Sequence, residues 1–396
     1  MKIALISDWY AESMGYAENF LPKALASLGA EVHLIAGNVQ PYFDSPTYAT
    51  TYEPFIGPGI VSCGTKEIDG YTLHRLPHSY WRGRLRINDL RRTLSDMRPD
   101  IVQTFDAFTL STLESALYRN LVGYKLFLES HMHASVFGAD QRRASIGKRL
   151  KWMAYAKSVG RAISLLSEKC YPISTDSAEI AIEFYGIQPG KIEVCSLGVD
   201  TDLFRLPTAE EQDGACQTFR KQLGIPEDAL LCVYTGRFSS DKNPLCLAQA
   251  VDLLAQDGVA VWSLFVGAGD QKDAIQNLRQ CVVQNFVPAT QLPEVYWAGD
   301  IGVWPRQEST SQLDAAASGL PLVVSDQIHV PERIEGNGLV YIENDPASLA
   351  QQIRKLLQPE VRQAMGAVGA QKVHTQFSWK AIARLRLQDY AAALER

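Results

Sequence analysis

Short apolar runs rich in β-branched residues recur along the whole chain, separated by longer amphipathic stretches. The first half contains KIALIS, EVHLIAG, IVQTF, KLFLES, YPIST and KIEVCSLG, and the second half contains LLCVYTG, VWSLFVG, VVQNFV, IGVWP, PLVVSD and GLVYI. Nearly continuous apolar strands that alternate with helices are typical of parallel sheets covered on both faces. The pattern therefore predicts an α/β protein in which each half is a doubly wound, Rossmann-like sheet.

The chain length favours two domains, because 396 residues exceed what one hydrophobic core usually organises. We predict an N-terminal Rossmann-like domain over 1–203, a linker over 204–226 and a C-terminal Rossmann-like domain over 227–376. Residues 377–396 predict an amphipathic helix that packs back towards the N-terminal domain. Two facing sheets of this kind leave a cleft at the carboxyl ends of their strands.

Composition limits the cellular setting and the class of ligand. No segment is apolar enough to span a membrane and no secretory signal is visible, so we expect a cytoplasmic protein. The seven cysteines are scattered without zinc spacing, as expected of free thiols in a reducing compartment. A net charge of −6 argues against a nucleic-acid binder.

A basic stretch departs from this acidic average. Residues 141–167 carry seven Lys or Arg and no acid, with Trp152, Met153 and Tyr155 interleaved. Residues 142–161 therefore predict either peripheral contact with an anionic membrane, such as the inner membrane face, or an ordinary solvated helix with core-facing aromatic side chains.

A loop directly after the buried run LLCVY is the strongest local candidate for phosphate binding. Gly236 permits a tight turn, Arg237 offers a planar fork for paired phosphate oxygens, and Lys242 adds a second positive charge. Together these residues predict a diphosphate clamp, although two solvated cations on a loop would give the same spacing.

A second candidate precedes a helix of small residues. The backbone N–H groups and hydroxyls of Ser309, Thr310 and Ser311 are placed to cap that helix and bind phosphate. Glu308 is a candidate for sugar hydroxyls. Asp314, expected two turns into a helix that begins near Ser309, is either a ribose ligand or solvated.

The sequence resembles the retaining nucleotide-sugar glycosyltransferases of the GT-B fold, the large family that includes bacterial mannosyltransferases and sucrose synthase. The resemblance rests on the opening strand with the turn at Gly15 and on seven further segments in the same order: GIQPGKIEVCSLGVDTDLF, VYTGRFSSDKN, LFVGAGD, FVPATQLPEVYWAGDIGVWP, ASGLP with VVSD, GNGLVYIENDPASLAQQI and the closing FSW helix. These segments cover nearly the whole chain.

The resemblance implies that the domain over 1–203 is the acceptor side and that the domain over 227–376 binds the nucleotide-sugar. It also implies roles for individual residues. Arg237 and Lys242 correspond to the basic pair on the donor diphosphate, and Gly15 to a glycine turn near the phosphates or the acceptor. His131, or His133 two residues later, corresponds to the histidine that lines the donor sugar. The family usually has two glutamates seven residues apart; Asp314 takes the second position, but the first falls on Arg306, so we assign Glu308 as the displaced sugar-side acid.

Two short motifs suggest other chemistry. Asp200 and Asp202 match a metal-binding DxD pattern, but they lie inside the family segment GVDTDLF, and we expect no metal or other cofactor. Gly267 and Gly269 resemble part of a dinucleotide fingerprint, but Lys272 stands where the third glycine belongs. A turn that lines the nucleotide pocket is the better prediction.

The sequence thus predicts a metal-independent enzyme that moves a hexose-type sugar, with retention, from a nucleotide diphosphate donor, most commonly UDP in the family, to a glycan, lipid-linked or small-molecule acceptor. Bacterial glycan or glycolipid synthesis is the expected setting. The alternatives are an inverting transferase or sugar-nucleotide epimerase of the same shape, and a non-catalytic sugar-nucleotide binding protein.

Overall fold

A computed structural model describes residues 1–46, 48–132, 146–306, 309–328 and 330–396. The chain forms two compact units. Met1–Leu197 and Trp379–Arg396 make up the first unit, and Gly198–Ser378 make up the second. Each unit is built on its own sheet, as the alternation of apolar runs and helices predicts.

The first unit contains a seven-stranded sheet in the order β3-β4-β2-β1-β7-β8-β9 and a separate two-stranded hairpin, β5-β6. All the pairings of the main sheet are parallel except that of β3 with β4. The strands are β1 (Lys2–Ser7), β2 (Glu31–Gly37), β3 (Gly64–Ile68), β4 (Tyr71–Leu76), β5 (His78–Trp81), β6 (Arg84–Ile87), β7 (Ile101–Thr104), β8 (Lys125–Ser130) and β9 (Lys169–Pro172).

The described helices of the first unit lie between these strands, with one more at the end of the chain. They are α1 (Ala17–Ser27), α2 (Tyr48–Thr51), α3 (Glu53–Ile56), α4 (Leu90–Met97), α5 (Leu110–Val122), α6 (Ile146–Leu166) and α7 (Thr175–Glu183), joined by the closing helix, which is α15 (Trp379–Leu394). The closing helix contacts α1, and its Trp379, Ile382 and Tyr390 belong to the same buried cluster as β1 and β2.

The second unit contains a six-stranded sheet in the order β12-β11-β10-β13-β14-β15, with every pairing parallel. The strands are β10 (Leu230–Thr235), β11 (Val261–Val266), β12 (Cys281–Gln284), β13 (Ile301–Trp304), β14 (Leu322–Ser325) and β15 (Gly338–Tyr341). β10 lies at the centre and is buried along its whole length, which explains its unbroken apolar sequence. The predicted α/β class with Rossmann-like sheets is confirmed.

The described helices of the second unit are α8 (Ala209–Gly214), α9 (Pro244–Gln256), α10 (Lys272–Gln276), α11 (Leu292–Trp297), α12 (Ser311–Ala317), α13 (Pro346–Lys355) and α14 (Pro359–Lys372). The stretch predicted as a linker, 204–226, belongs to this unit and contains α8. A capping box starts that helix, because Thr208 accepts from the N–H of Glu211 while the Glu211 carboxylate accepts from the N–H of Thr208. Arg205 holds the same carboxylate through two nitrogens at 2.7 and 2.9 Å.

One predicted strand is wrong. KIEVCSLG forms no strand, and only an isolated bridge joins Ile192 to Cys170 of β9. Among the described residues, no helix is long and apolar enough to cross a membrane.

Candidate functional site

The loop after β10, residues 236–243, carries the predicted diphosphate clamp and is called the clamp loop below. The Tyr234 hydroxyl donates to the carbonyl oxygen of Arg237 at 2.8 Å, and the buried Phe238 anchors the next position. These contacts leave the Arg237 side chain 68% exposed, with its guanidinium 3.5 Å from the Asp241 carboxylate. The loop backbone is therefore fixed while the guanidinium remains open to an anion.

Lys242 closes the same loop. Its N–H donates to the carbonyl oxygen of Ser239 at 3.0 Å, and its side chain is half-buried. Asn243, at φ +48°, then turns the chain into α9, and its amide donates to the Asn344 side chain at 2.9 Å. The predicted pair, Arg237 and Lys242, therefore lies in one ordered turn at the carboxyl end of the central strand.

Gly267 allows a neighbouring strand end to reach this loop. The residue lies at φ +153°, and a Cβ atom there would come within 1.9 Å of the carbonyl oxygen of Gly236. Backbone bonds join the same two turns, from Gly236 N–H to Val266 at 3.0 Å and from Phe238 N–H to Ala268 at 2.8 Å. Gly267 is thus needed for the close approach of the turns after β10 and β11.

The serine-rich segment lies at the carboxyl end of β13. Helix α12 begins at Ser311, so Ser309 and Thr310 precede it. The hydroxyls of Ser309 and Ser311 are 2.7 Å apart, and Trp304 Nε1 donates to the Ser311 hydroxyl at 3.0 Å. The Ser311 hydroxyl thus already binds within the unit, and this leaves the backbone N–H groups as the more suitable anion donors.

Asp314 lies in the first turn of α12, not two turns in as predicted, because the helix starts two residues later than expected. Burial and, to a smaller extent, the nearby charge of Asp200 raise the pKa of Asp314 to about 8. The carboxyl group is therefore largely protonated near neutral pH. A protonated carboxyl group can donate one hydrogen bond and accept others, which suits a diol.

Arg306 is a third cation at this edge of the sheet, two residues after β13. Its Nε lies 3.1 Å from the Glu343 carboxylate, and its Nη1 donates to the carbonyl oxygen of Ser240, in the clamp loop, at 3.4 Å. Arg306 thus joins the loop of Arg237 and Lys242. Glu308, the predicted sugar-side acid, lies outside the described residues, as does His133.

In the first unit, His131 lies immediately after β8, as predicted. Its Nε2 is 2.7 Å from the carboxylate of the buried Glu129. Burial lowers the pKa of His131, but the hydrogen bond and charge of Glu129, with the charges of Glu18 and Asp106, outweigh burial and raise the pKa above its ordinary value. The surroundings therefore favour an imidazolium.

Sequence reasoning missed three carboxyl groups of the first unit, of which Glu18 and Asp106 act on this histidine. Asp8 follows β1, Asp106 follows β7 and Glu18 lies in α1, and burial raises the pKa of each, that of Asp8 to about 7. The Ser111 hydroxyl donates to Asp8 and opposes that rise. A strand-end position, the rule that located Arg237, was the signal that could have found Asp8 and Asp106.

The remaining predicted residues have mainly backbone roles. Gly15 lies at φ +68° two residues before α1, so it provides the turn predicted there. Asp200 accepts the N–H of Asp202 at 3.0 Å and so helps to form the turn of GVDTDLF. Among the described residues, no group of three or more His, Cys, Asp or Glu side chains is arranged to hold a metal ion.

The basic stretch 142–161 is described only in part. Residues 142–145 lie outside the described residues, and α6 begins at Ile146. Beyond residue 153, Lys157 and Arg161 are exposed, and Tyr155 is exposed rather than core-facing.

Comparison with known proteins assigns the family. A model for glycosyltransferase family 4 matches residues 21–203, and a model for glycosyl transferases group 1 matches residues 229–359. These matches fall on the two sheets described above. The chain belongs to the GT-B glycosyltransferases.

Individual relatives agree with this assignment. A D-inositol 3-phosphate glycosyltransferase of Xylanimonas cellulosilytica is 29% identical over 236 residues, which are 56% of each chain. The match thus spans about half of that relative's length. Among solved structures, sucrose-phosphate synthase of Thermosynechococcus elongatus is similar along 100% of this chain and 99% of its own, with a TM-score of 0.68 and 18% identity. The structure of Anabaena HepE in complex with UDP is similar along 99% of this chain and 100% of its own, with a TM-score of 0.66 and 16% identity.

Proposed function

We propose that the enzyme transfers a hexose-type sugar from a UDP-sugar donor to an acceptor hydroxyl with retention of anomeric configuration. The observation that carries this proposal is the clamp loop, in which Arg237 and Lys242 follow the central strand of the second unit. A nucleotide diphosphate donor offers this loop the paired phosphate oxygens that a guanidinium and an ammonium group recognise.

In the proposed mechanism the second unit stabilises the leaving group. Cleavage of the bond to the anomeric carbon places negative charge on the donor phosphate, and fixed cations stabilise that charge as it develops. Arg237 and Lys242 supply these cations, and the N–H groups near Ser309 to Ser311 supplement them. We propose that no metal is needed, since the protein itself neutralises the leaving group.

UDP is the proposed donor nucleotide because a similar fold, that of Anabaena HepE, has been solved with UDP, with UDP and glucose, and with UDP-glucose. Asp314 is the proposed ribose ligand and the turn at Gly267 the proposed neighbour of the nucleotide. Retention is proposed from the family resemblance and from the resulting expectation that the acceptor hydroxyl attacks from the face that the phosphate leaves.

The first unit is the proposed acceptor side. His131 provides an imidazolium for the reacting sugars, and Asp8 provides a carboxyl group that titrates near neutral pH. A glycan, lipid-linked or small-molecule hydroxyl fits these groups, and bacterial glycan or glycolipid synthesis in the cytoplasm is the proposed setting. We also propose that residues 142–161 contact an anionic membrane peripherally, because Tyr155, Lys157 and Arg161 are exposed.

A donor panel tests the proposal. Thermal shift with UDP, GDP and ADP identifies the nucleotide, and incubation with the matching sugar nucleotides and a range of acceptors, with and without EDTA, detects transfer. We expect stabilisation by UDP, transfer that EDTA does not abolish, and a product with the donor's anomeric configuration by NMR. An inverted product, an epimerised donor or binding without transfer would each contradict it.

A further inference from the structure

Glu129 of β8 is a buried carboxylate whose two oxygens are both engaged. One oxygen, Oε2, lies 2.7 Å from Nε2 of His131. The other, Oε1, accepts from the amide of Gln103 at 3.0 Å and lies 3.4 Å from Nη2 of Arg386. Glu129 is only 3% exposed, so it holds a negative charge in the interior only while such partners compensate it.

Arg386 reaches this carboxylate from the closing helix, 257 residues further along the chain. The side chain is 4% exposed, and its guanidinium carbon lies 3.1 Å from the centre of the Tyr171 ring. Among the described residues, Glu129 is the one carboxylate that makes an ion pair with Arg386, and Nε of Arg386 has no hydrogen-bond partner. Because its own hydrogen bonding is incomplete, a stabilising role in the helix is a poor explanation for this buried charge.

We propose that Arg386 is a positioning residue: it holds Glu129 from the closing helix and, through Glu129, fixes the ring of His131 at the end of β8. Tyr390, one turn further along the helix, supports the same arrangement through its bond to Gln103. In this arrangement the neutral ring keeps its proton on Nε2, facing Glu129, and Nδ1 carries the lone pair. The inference rests on the proposed role of His131 in transfer.

The groups that face His131 define what loss of Arg386 would do. They are Glu129 from its own strand, Glu18 from α1, Asp106 from the turn after β7 and the edge-on ring of Phe105. Without Arg386 the Glu129 carboxylate keeps His131 as its ion-pair partner among the described residues, and one positive charge fewer lies near the ring. Loss of a nearby like charge favours the imidazolium of His131.

The test is an NMR titration of the histidine rings in the full chain, with the His131 signal assigned from a His131→Gln variant. In Arg386→Met we expect the pKa of His131 to rise by about one unit, because a nearby like charge is lost, and the Nε2–H tautomer to become mixed. Arg386→Lys should restore part of both. No donor or acceptor is present, so the result is independent of whether the proposed function is correct.

Two matched variants separate positioning from loss of structure. Arg384→Met makes the same chemical change at an exposed site of the same helix and should leave the titration unchanged. Asp389→Asn loosens the helix where Asp389 binds Lys169 at 2.8 Å and Tyr171 at 2.6 Å, so it should lower Tm without moving the His131 pKa. Equal titration curves for wild type and Arg386→Met, or an equal shift in Asp389→Asn, would overturn the proposal.

Glu129→Gln provides the answer if Arg386→Met does not fold. It keeps the size of the side chain and removes the charge, so the pKa of His131 should fall, in the direction opposite to that of the arginine variant. An unchanged pKa in Glu129→Gln would also overturn the inference. In transfer assays the Arg386 variants should lower kcat more than they raise KM, and the activity should decline at a higher pH than in wild type.

Discussion

The two units have the same architecture and opposite chemistry at the carboxyl ends of their strands. In the second unit the strand ends carry the cations Arg237, Lys242 and Arg306. In the first unit they carry Asp8, Asp106 and His131, and the charges of Glu129 and Asp106 support His131 as a cation. The fold thus provides the place for a ligand, whereas the residues that follow each strand decide the charge of that place.

The energetics of the two strand-end groups differ as well. Backbone hydrogen bonds fix the clamp loop, and the Arg237 side chain stays exposed. The guanidinium therefore does not have to be buried before an anion binds to it. Burial raises the pKa of Asp106 and Asp8 in the first unit, that of Asp8 to about 7, so Asp8 can exchange a proton near neutral pH. The second unit is thus suited to a fixed anion and the first to a hydroxyl that gives up its proton.

The largest effect should follow from removing a cation of the second unit. Lys242→Ala is expected to lower kcat by roughly 100- to 1000-fold, the range seen when one preorganised charge-stabilising group is lost. The reason is that the developing phosphate charge loses a fixed partner, while the loop keeps its backbone bonds and Arg237. Steady-state kinetics with the donor identified in the panel provides the measurement.

Lys221→Ala is the matched control for this substitution. Lys221 is an exposed lysine of the same unit. Its replacement should leave kcat within about twofold of wild type, as is usual for surface sites. Near-normal activity in Lys242→Ala would remove the charge contrast between the units as an explanation of transfer.

The fold of the second unit could be predicted almost completely from the sequence. Each of its six strands was predicted, because parallel strands buried on both faces give apolar runs that stand out from their helical surroundings. In the first unit, the four strands β3 to β6 were missed. β3, with the sequence GTKEI, is almost wholly exposed and carries no apolar run, and β4 alternates buried with half-buried residues instead of forming a continuous apolar run. The predicted strand KIEVCSLG failed for the opposite reason: its β-branched residues occur in an irregular segment.

The candidate site divides in the same way. Arg237 and Lys242 are close in sequence and follow an obvious strand, so local pattern was enough to predict them. The cluster around His131 brings together groups from α1, β7 and β8 with Arg386 from the closing helix. Burial, not sequence spacing, gives these carboxyl groups their chemistry, and burial depends on the tertiary structure.

A smaller effect on kcat/KM is expected from replacing Asp8, and it would show whether the carboxyl groups of the first unit take part in proton transfer. If its carboxylate accepts the hydrogen of the acceptor hydroxyl, kcat/KM should rise as pH increases through about 7, where Asp8 ionises. Asp8→Asn should remove that rise and lower kcat/KM about tenfold at pH 8, with little change at pH 6, since general base groups contribute at least this much. The measurement is a pH profile of kcat/KM.

Asp96→Asn serves as the control for Asp8, because Asp96 is an exposed acid of the same unit, 3.7 Å from Arg92 in α4. Its pH profile should match that of wild type. A profile that keeps its rise in Asp8→Asn would assign the rise to another group, and Asp8 would then have no part in the transfer.

The smallest effect concerns stability at Asp314, the half-buried acid of the otherwise basic site. Its folded-state pKa, about 8, lies above the ordinary carboxyl value of 3.8, so its contribution to stability is complete below pH 3.8 and is lost as pH rises through about 8.

The variant Asp314→Asn keeps the side chain uncharged at every pH. After allowance for partial exposure, the variant should gain about 2 kcal/mol, or roughly 5 °C in Tm, over wild type between pH 5 and pH 8.5. Scanning calorimetry at both pH values measures this gain, and Asp228→Asn, at an exposed site of the same unit, should show none. A Tm difference that does not change with pH would mean that Asp314 is ionised in the folded enzyme. Asp314 would then behave like an acid on the protein surface and not like the carboxyl groups Asp8 and Asp106 of the first unit.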